Sequence, residues 1–471
     1  MLFYDPIFFI IFPAFYVLYV AAVTDHTGRK WTLLIASALF YIWAEPLFVI
    51  VLFTSMALDF ALSRYLTQRT PACWRKLVLA AGIGSNLMFL SAYKYADFLL
   101  SNANLVLRPL HIHEFPLLHL ALPIGVSFVV FEKISYLLDT YRGISPPARK
   151  ISEYALFVFF FPKLLAGPIL KYHELGNQLA APPATDNSDL LTGFLRFARG
   201  LGRKLLIADP LGTFADQIFR SDATSMSSSG AWLGLLAFTL QIYFDFSGYS
   251  DMAIGIARML GIRLSENFNA PYVSQSLTEF WQRWHISLTA WIRDYLYVPL
   301  GGNRLGRTRT YFNLWLCFLL SGLWHGAAWN FVLWGAYNGF FLMLDRLFLR
   351  RWLDRCGRAI ATAITLLIVM FGWAIFRVES LAHLDSFVAA LMGQSRLPVD
   401  TGVPQSVLVL LILASAISLF PATPFYAPLV RMNREYCVAR ALGIFLTVAI
   451  FTLAAARTLT QEFHPFIYFQ F

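Results

Sequence analysis

Charged side chains are scarce in this sequence of 471 residues. Asp, Glu, Lys and Arg make up 14% of it, whereas soluble domains carry about 25%. The scarcity is greatest between residues 311 and 344, where 34 consecutive positions hold none of the four. Because 58% of the residues are hydrophobic, apolar stretches long enough to cross a bilayer recur along the whole chain. The composition excludes a soluble domain and predicts an all-α, polytopic integral membrane protein, formed as one domain over residues 1–471.

Cysteine is also rare, and the four cysteines lie far apart without the spacing of metal ligands. The chain has no G-x-S-x-G elbow and no H-E-x-x-H motif. An enzyme-bound acyl-serine and a metal hydrolase therefore have little support, and neither a metal nor a bound cofactor is predicted. The first 23 residues lack the basic region and cleavage site of a signal peptide, which predicts a first span retained in the mature protein.

Basic residues cluster in short loops, as they do on the cytoplasmic side of membrane proteins. Placing these loops inside predicts that the N-terminus and a C-terminal tail, residues 457–471, are extracytoplasmic. About 11 helices then cross the bilayer, with a hairpin turn at Glu45 and Pro46. One span leaves the cytoplasm near residues 77–100 and another returns near 117–139, and spans near 359–377, 405–420 and 441–456 close the chain. The six loops are residues 25–30, 63–76, 141–150, 303–310, 345–358 and 431–440.

Three segments interrupt this regular pattern. Residues 153–170 hold a Pro-Lys and a Gly-Pro pair, which predict a re-entrant or broken element. Residues 189–206 place apolar residues at helical spacing with basic residues between them, which predicts an amphipathic helix on the cytoplasmic surface. Residues 279–300 are too charged for a lipid-facing span and too apolar for a free loop, so we expect them to line a cavity at membrane depth.

Polar side chains gather in three otherwise apolar segments, residues 241–251, 266–304 and 321–338. Ionisable groups inside a membrane are costly and usually face an interior path or site. The three segments therefore predict one lined, partly hydrated chamber.

Two aspartates, Asp245 and Asp251, stand in the first of these segments. A buried carboxylate needs a positive partner, and Arg258 and Arg293 are candidates. We expect the aspartates to be buried supports rather than catalysts.

Two histidines are the candidates for chemistry. His325 is the one strongly ionisable side chain between residues 311 and 344, and His285 precedes it by 40 positions. A neutral imidazole can take a proton from a hydroxyl near neutral pH, which suits direct transfer of an acyl group to that hydroxyl. Histidine also forms hydrogen bonds between helices, so the residues alone leave a structural role open.

Six stretches of the sequence resemble the membrane-bound O-acyltransferase family. They are similar to the bacterial branch that holds alginate and cellulose O-acetyltransferase membrane components and the D-alanyl transfer protein of teichoic acid synthesis. The stretches span most of residues 120–345 and are "LPIGVSFVVFEKISYLLDTYRG" (122–143), "FPKLLAGPI" (161–169), "QIYFDFSGYSDMAIGIARMLGI" (241–262), "ENFNAPY" (266–272), "TEFWQRWHISLTAWIRDYLYVPLGGNR" (278–304) and "GLWHGAAWNFVLWGAYNG" (322–339).

The resemblance implies a ring of transmembrane helices, with re-entrant and interfacial helices, around a central funnel. It implies that His325 is the catalytic histidine and that His285 supports it. It also implies an acyl thioester donor on the cytoplasmic side, for which acetyl-CoA is the expected substrate. The residues expected to line the donor tunnel or shape its entrance are Trp324, Arg293, Asp294 and Asn303.

The last residues, "HPFIYFQF" (464–471), have no obvious folding role. An aromatic anchor at the membrane interface is one interpretation. They also resemble the C-terminal motif of the small membrane partner in teichoic acid D-alanylation, in which a tyrosine is thought to carry the acyl group. The resemblance implies that Tyr468 is an acyl relay, which holds acetyl as an ester until an extracytoplasmic acetyltransferase partner moves it to a sugar.

These features together predict a membrane O-acetyltransferase subunit for a secreted, alginate- or cellulose-like exopolysaccharide, within a synthesis and secretion complex of the bacterial inner membrane. D-alanyl transfer from a carrier protein is an alternative, although its tail motif normally lies on a separate protein. A proton-coupled transporter is another, but no inverted repeat is apparent. A non-catalytic scaffold would leave the clustered polar residues unexplained. No nucleic-acid partner is expected, because the basic residues are scattered over short loops.

Overall fold

The described part of the chain is helical. A computed structural model describes residues 2–22, 25–221, 227–394, 403–460 and Phe466, apart from the side chains of Ala22 and Arg434. Within these ranges the chain forms 22 α-helices and no β-strand, as predicted for an all-α protein.

The helices are numbered in chain order. The first eleven are α1 (Phe8–Val17), α2 (His26–Ala44), α3 (Phe48–Ser63), α4 (Ala72–Leu90), α5 (Ala96–Leu107), α6 (Val126–Arg142), α7 (Ile151–Phe159), α8 (Phe161–Leu164), α9 (Tyr172–Ala180), α10 (Asn187–Gly202) and α11 (Asp209–Arg220). The others are α12 (Ser228–Met259), α13 (Leu277–Arg283), α14 (Ile286–Ile292), α15 (Arg307–His325), α16 (Trp329–Leu344), α17 (Arg350–Cys356), α18 (Arg358–Arg377), α19 (Leu381–Leu391), α20 (Gln405–Leu419), α21 (Tyr426–Glu435) and α22 (Cys437–Thr458).

Short π- and 3₁₀-helical turns extend several of these helices. The π-helical turns are Leu18–Ala22, Ser91–Tyr95, Arg203–Ala208, Arg293–Tyr297 and Asp345–Leu349. The 3₁₀ turns are Arg64–Leu66, Arg108–Leu110, Pro271–Val273 and Phe420–Ala422.

Several helices are long and apolar enough to cross a bilayer. Over the described ranges there are five: Phe48–Leu66, Ala72–Leu110, Arg358–Arg377, Gln405–Ala422 and Cys437–Thr458. The last three agree with spans expected from hydropathy, and the break between α2 and α3 falls at the expected proline turn. The chain is therefore a multi-pass membrane protein. A total of about 11 spans and a central funnel stay predictions.

The residues cluster into two compact units. The first unit comprises Met1–Phe194 and Ala253–Ser265. It contains the predicted broken element, because α7 ends at Phe159, Phe160 is non-helical and α8 is a single short turn. The second unit comprises Leu195–Met252 and Glu266–Phe471. A single domain over the whole chain stays a prediction.

Buried ion pairs tie α6 into the first unit. Lys133 on α6 lies 3.2 Å from the Asp59 carboxylate on α3, and the neighbouring Glu132 pairs with Lys163 on α8. All four side chains are buried. Because an unpaired buried charge is strongly destabilising, the two pairs hold α6 against α3 and α8.

A closely packed hairpin, α15 and α16, positions the candidate site of the second unit. A Cβ atom added at Gly322 would lie 2.2 Å from the Phe331 carbonyl oxygen, and one at Gly335 would lie 2.5 Å from the Phe318 carbonyl oxygen. Only glycine therefore permits this approach of the two backbones, as small residues do in other membrane helix pairs.

Candidate active site

His325 is the last residue of α15, directly before the turn to α16. Its side chain is buried, with 6% of the residue exposed. Three aromatic rings pack edge-on against the imidazole, with centroids 4.9 Å away for Trp324, 5.1 Å for Trp334 and 5.4 Å for Phe376. This aromatic enclosure places the imidazole in an apolar setting.

A hydrogen-bonded clamp fixes one wall of this enclosure. Asn330, near the start of α16, donates from Nδ2 to the carbonyls of Phe376 and Val378, at 3.3 and 3.0 Å. These carbonyls are at the end of α18, where no further helical turn follows to satisfy them. The clamp joins the start of α16 to the end of α18 and so keeps Phe376 beside His325.

His285 lies at a sharp break between α13 and α14. It has a φ of +44°, in the left-handed region that residues with a side chain rarely adopt. Two backbone hydrogen bonds join this break to the non-helical segment before α13. Asn269 N–H donates to the Arg283 carbonyl, and Ile286 N–H donates to the Asn267 carbonyl, both at 2.9 Å. A strained conformation that is held this firmly is typical of a functional position.

The His285 side chain is also fixed on two sides. Its Nδ1 lies 3.1 Å from Asn267 Oδ1. The imidazole also packs edge-to-face with the Phe246 ring of α12, with the two ring centroids 4.7 Å apart. Only 1% of the residue is exposed, so both histidines are buried.

Trp324 joins the two histidines. Its ring centroid is 4.9 Å from that of His325 and 6.5 Å from that of His285. The three polar segments singled out in the sequence therefore meet here, since α12 contributes Phe246, the α13–α14 region contributes His285, and α15 contributes Trp324 and His325. Hydration of this chamber stays a prediction.

Both aspartates of α12 form ion pairs, but with different partners from those expected, and only Asp245 is fully buried while Asp251 is partly exposed. Asp251 pairs with Arg196 at 3.0 Å and also with Arg203, and Asp245 pairs with Lys204 at 2.9 Å. These basic residues come from α10 and the π-helical turn after it.

The two arginines first considered as partners bind elsewhere. Arg258 pairs with Asp189 of α10, at 2.6 Å, and Arg293 pairs with its neighbour Asp294. Residues 189–206 do form a helix over most of their length, as predicted. Its place on the cytoplasmic surface stays a prediction.

A cavity of about 320 Å³ lies beside α13 and α14. Apolar and aromatic side chains form most of its wall, and two exposed arginines, Arg293 and Arg346, line it as well. Trp281 Nε1 and the Tyr297 hydroxyl are buried in the same wall, and neither has a hydrogen-bond partner among the described residues. The segment 279–300 therefore lines a cavity, as predicted.

The predicted donor residues differ in their relation to this cavity. Arg293 lines it, and its guanidinium contacts the Asp294 carboxylate at 2.7 and 3.2 Å. These hydrogen bonds raise the pKa of Arg293, so its guanidinium remains positively charged. Asn303 lies exposed in the turn before α15, apart from the cavity lining. Trp324 packs against both histidines instead.

The C-terminal tail enters the same aromatic cluster at one described residue. Phe466 is fully buried, with ring centroids 5.8 Å from Phe246 and 5.0 Å from Tyr249. Tyr468 lies outside the described residues. One tail residue therefore packs on the same ring of α12 that touches His285.

Some residues of the site were not singled out in the sequence. Asn267 stands in the stretch "ENFNAPY", but asparagine is common in turns and this gave no reason to separate it from its neighbours. Phe246 and Phe376 were hidden among the 44 phenylalanines. The positive φ of His285 has no signal in the sequence.

Comparison with known proteins identifies the family. The model of the MBOAT, membrane-bound O-acyltransferase family matches residues 148–382, which include both histidines and the cavity.

Individual relatives extend the match over the whole chain. "Probable alginate O-acetylase AlgI" of Pseudomonas putida is 38% identical over 495 aligned positions that cover all of both chains. "Peptidoglycan O-acetyltransferase" of Helicobacter pylori is 34% identical over 83% of this chain and 80% of its own. "Teichoic acid D-alanyltransferase" of Bacillus subtilis is 28% identical over 55% of this chain and 70% of its own. With buried histidines on a multi-pass helical scaffold, the chain belongs to the membrane-bound O-acyltransferase family and is an acyltransferase.

Proposed function

We propose that this chain passes an acetyl group from a cytoplasmic thioester, acetyl-CoA, across the bacterial inner membrane for O-acetylation of a secreted polysaccharide. The names of its alginate and peptidoglycan relatives support a polysaccharide as the final acceptor and acetyl as the group. The observation that carries the proposal is the pair of buried imidazoles, His285 and His325, which both contact the ring of Trp324.

His325 acts as the general base in this account, and His285 orients it or positions the donor. The acceptor hydroxyl loses its proton to His325 while its oxygen bonds to the acetyl carbon. The carbon–sulfur bond then breaks, and the departing thiolate takes up the proton. General-base help of this kind accelerates a reaction by about 10²- to 10⁴-fold. The aromatic rings around His325 leave only 6% of the residue exposed, which limits the access of water that would hydrolyse the thioester.

Tyr468 is the proposed first acceptor. Phe466 packs on Phe246, which in turn touches His285. Tyr468 follows Phe466 by two positions in the sequence, and it lies outside the described residues. Its phenol oxygen can attack the thioester once a base removes its proton. An extracytoplasmic partner enzyme of the polysaccharide synthesis and secretion complex then transfers the acetyl group to a sugar hydroxyl.

The cavity beside α13 and α14 is the proposed donor site. CoA carries phosphates, which arginine recognises well, and a pantetheine arm rich in amide groups. Arg293 and Arg346 supply positive charge, while Trp281 Nε1 and the Tyr297 hydroxyl supply donors that have no partner among the described residues. The apolar remainder of the wall suits the methylene groups of the arm.

The donor site is tested by replacing Arg346 with alanine. We expect KM for acetyl-CoA to rise about 3- to 10-fold with little change in kcat, because a charged hydrogen bond at a partly exposed site contributes modest binding energy. Arg350→Ala removes an exposed arginine one turn along the same helical run and should leave KM unchanged. An unchanged KM in Arg346→Ala would remove this cavity as the donor site.

The overall function is tested by complementing a strain that lacks the chromosomal copy and measuring acetyl ester on its secreted polysaccharide. The wild type and Tyr436→Phe, which changes an exposed tyrosine, should restore acetylation. His325→Ala and Tyr468→Phe should not. Normal acetylation in Tyr468→Phe would contradict the relay. D-alanine on the polymer instead of acetyl would favour the alternative named for the Bacillus relative, and pH-driven flux without any ester would favour a transporter.

A further inference from the structure

Asn267 meets His285 through its side-chain oxygen. Asn267 Oδ1 lies 3.1 Å from His285 Nδ1 and accepts from the Ser287 hydroxyl at 2.9 Å and the Ser287 N–H at 3.3 Å. Its Nδ2 lies 3.2 Å from Ser250 Oγ. All four residues are buried, so these contacts are sheltered from competing water.

The Ser287 backbone decides which way the amide of Asn267 faces. A backbone N–H can only donate, so the Asn267 atom beside it must be the oxygen. A flipped amide would bring two donors together there. The same oxygen faces His285 Nδ1, and an oxygen that accepts needs a proton from its neighbour. Ser287 Oγ also lies 3.5 Å from Nδ1, but its proton goes to Asn267 Oδ1 at the shorter distance of 2.9 Å. Nδ1 of His285 therefore carries its own proton.

The other ring nitrogen of His285 is then fixed as well. A neutral imidazole has one protonated nitrogen, so Nε2 carries the lone pair. Nε2 is buried and has no hydrogen-bond partner among the described residues. An imidazole held through Nδ1–H by a side-chain oxygen, with Nε2 bare, has the hydrogen-bond pattern of a general base.

We propose that Asn267 is a positioning residue: it holds His285 in the Nδ1–H tautomer and so makes Nε2 of His285 a second proton acceptor of the site. This inference rests on the acyl transfer proposed above and gives His285 more than an orienting role. A hydroxyl that attacks within reach of His285 instead of His325 gives its proton to Nε2 as its oxygen bonds to the acyl carbon. The carbon–sulfur bond breaks and the thiolate takes that proton from the imidazolium, whose Nδ1–H stays on Asn267 Oδ1.

The tautomer is tested directly by ¹⁵N NMR of the full-length protein in lipid nanodiscs, with histidine ¹⁵N-labelled in the ring. Protonated and bare ring nitrogens have well-separated chemical shifts. A difference spectrum against His285→Gln identifies the two His285 resonances. The expected result is a protonated Nδ1 and a bare Nε2. A protonated Nε2 at neutral pH would overturn the inference.

Two substitutions at Asn267 connect the tautomer with catalysis. Asn267→Leu removes the oxygen, so the protonated Nδ1 resonance should be lost and kcat should fall about 10²-fold with KM for acetyl-CoA unchanged. Asn267→Asp keeps the oxygen and adds a negative charge that favours the imidazolium. It should retain the tautomer and move the acidic limb of the pH–rate profile to higher pH.

A matched control separates positioning from general disturbance of the core. Asn338→Leu makes the same change at another buried asparagine, whose Nδ2 donates to the Trp334 carbonyl, and should leave the His285 resonances and the pH limb in place. If Asn267→Leu does not fold, Asn267→Asp and the wild-type spectrum still decide. An unshifted pH limb in Asn267→Asp would contradict a proton-accepting role.

The two proposals fail in different ways. The expected tautomer in a protein that transfers no acetyl group would overturn the proposed function and leave the Asn267 contact as a structural one. Normal acetyl transfer with a protonated Nε2 would overturn only the role given to Asn267 and His285.

Discussion

At the residue scale, the site depends on two buried imidazoles, whose described contacts are with aromatic rings and a side-chain amide. Aromatic rings surround His325, and an amide holds His285. A neutral imidazole is the form that accepts a proton, so these surroundings suit a base that works within an apolar protein interior.

Replacing His325 with alanine is expected to lower acyl transfer at least 10²-fold while the protein still folds. The reason is the loss of the base, since the aromatic wall around it remains. Transfer from acetyl-CoA by the purified variant measures the effect, with size-exclusion chromatography as the check on folding. His113→Ala, at an exposed histidine in the segment between α5 and α6, is the control. Activity within a few fold of the wild type in His325→Ala would exclude it as the base.

The histidines could be identified from the sequence, but their fixing contacts could not. A single ionisable residue in a long apolar stretch can be recognised from the sequence alone, which is why His325 was identified. Asn267 becomes significant only because a backbone contact brings it to His285, 18 positions away. The partners of Asp251 were mistaken for a similar reason, since they depend on which face of α12 packs on α10.

At the element scale, the close approach of α15 and α16 determines where His325 lies. Gly335→Ala should lower the free energy of unfolding by about 1–3 kcal/mol, because the new methyl group meets backbone atoms that cannot move aside. Gly84→Ala on α4 is the matched control, since nothing lies within 4 Å of the added Cβ, and it should be neutral or slightly stabilising. Thermal unfolding of the purified variants measures both. Equal stability of the two would contradict the close crossing.

The ion-paired cluster around Lys204 is a second device at this scale. Lys204 lies 2.8 Å from Asp209 of α11 and 2.9 Å from Asp245 of α12. Lys204→Met should cost about 3–5 kcal/mol of stability, because two buried carboxylates lose their counter-charge. Arg431→Met breaks the exposed pair with Glu435 and should cost well under 1 kcal/mol. Comparable losses in chemical unfolding would show that the Lys204 cluster is not buried as described.

The long helices could be predicted from the sequence more readily than the short, interrupted ones. Hydropathy predicted α18, α20 and α22 because each is a continuous apolar run. Residues 279–300 were predicted to line a cavity, but the two short helices α13 and α14, with the left-handed residue His285 between them, were not predicted. Such a break depends on hydrogen bonds to residues 267–269, and local helix propensity does not predict contacts of this kind.

At the scale of the whole molecule, the orientation in the membrane is the main prediction that stays open. Cys73 and Cys437 are exposed and stand in loops predicted to be cytoplasmic. In spheroplasts, an impermeant maleimide should label neither in single-cysteine variants until the membrane is permeabilised. Ile112→Cys, in a segment predicted to be extracytoplasmic and exposed, should react at once. Immediate labelling of Cys73 or Cys437 would reverse the topology.

The central claim is that the acetyl group passes through the C-terminal tail under the control of His325. The most direct test incubates the purified protein with isotope-labelled acetyl-CoA and locates the label by intact-mass and peptide analysis. The account predicts label on the C-terminal peptide of the wild type and of Tyr436→Phe, and none in His325→Ala or Tyr468→Phe. Label that persists on Tyr468 in His325→Ala would contradict His325 as the base. A wild type that takes up no label, with a trapping control that succeeds, would contradict the relay itself.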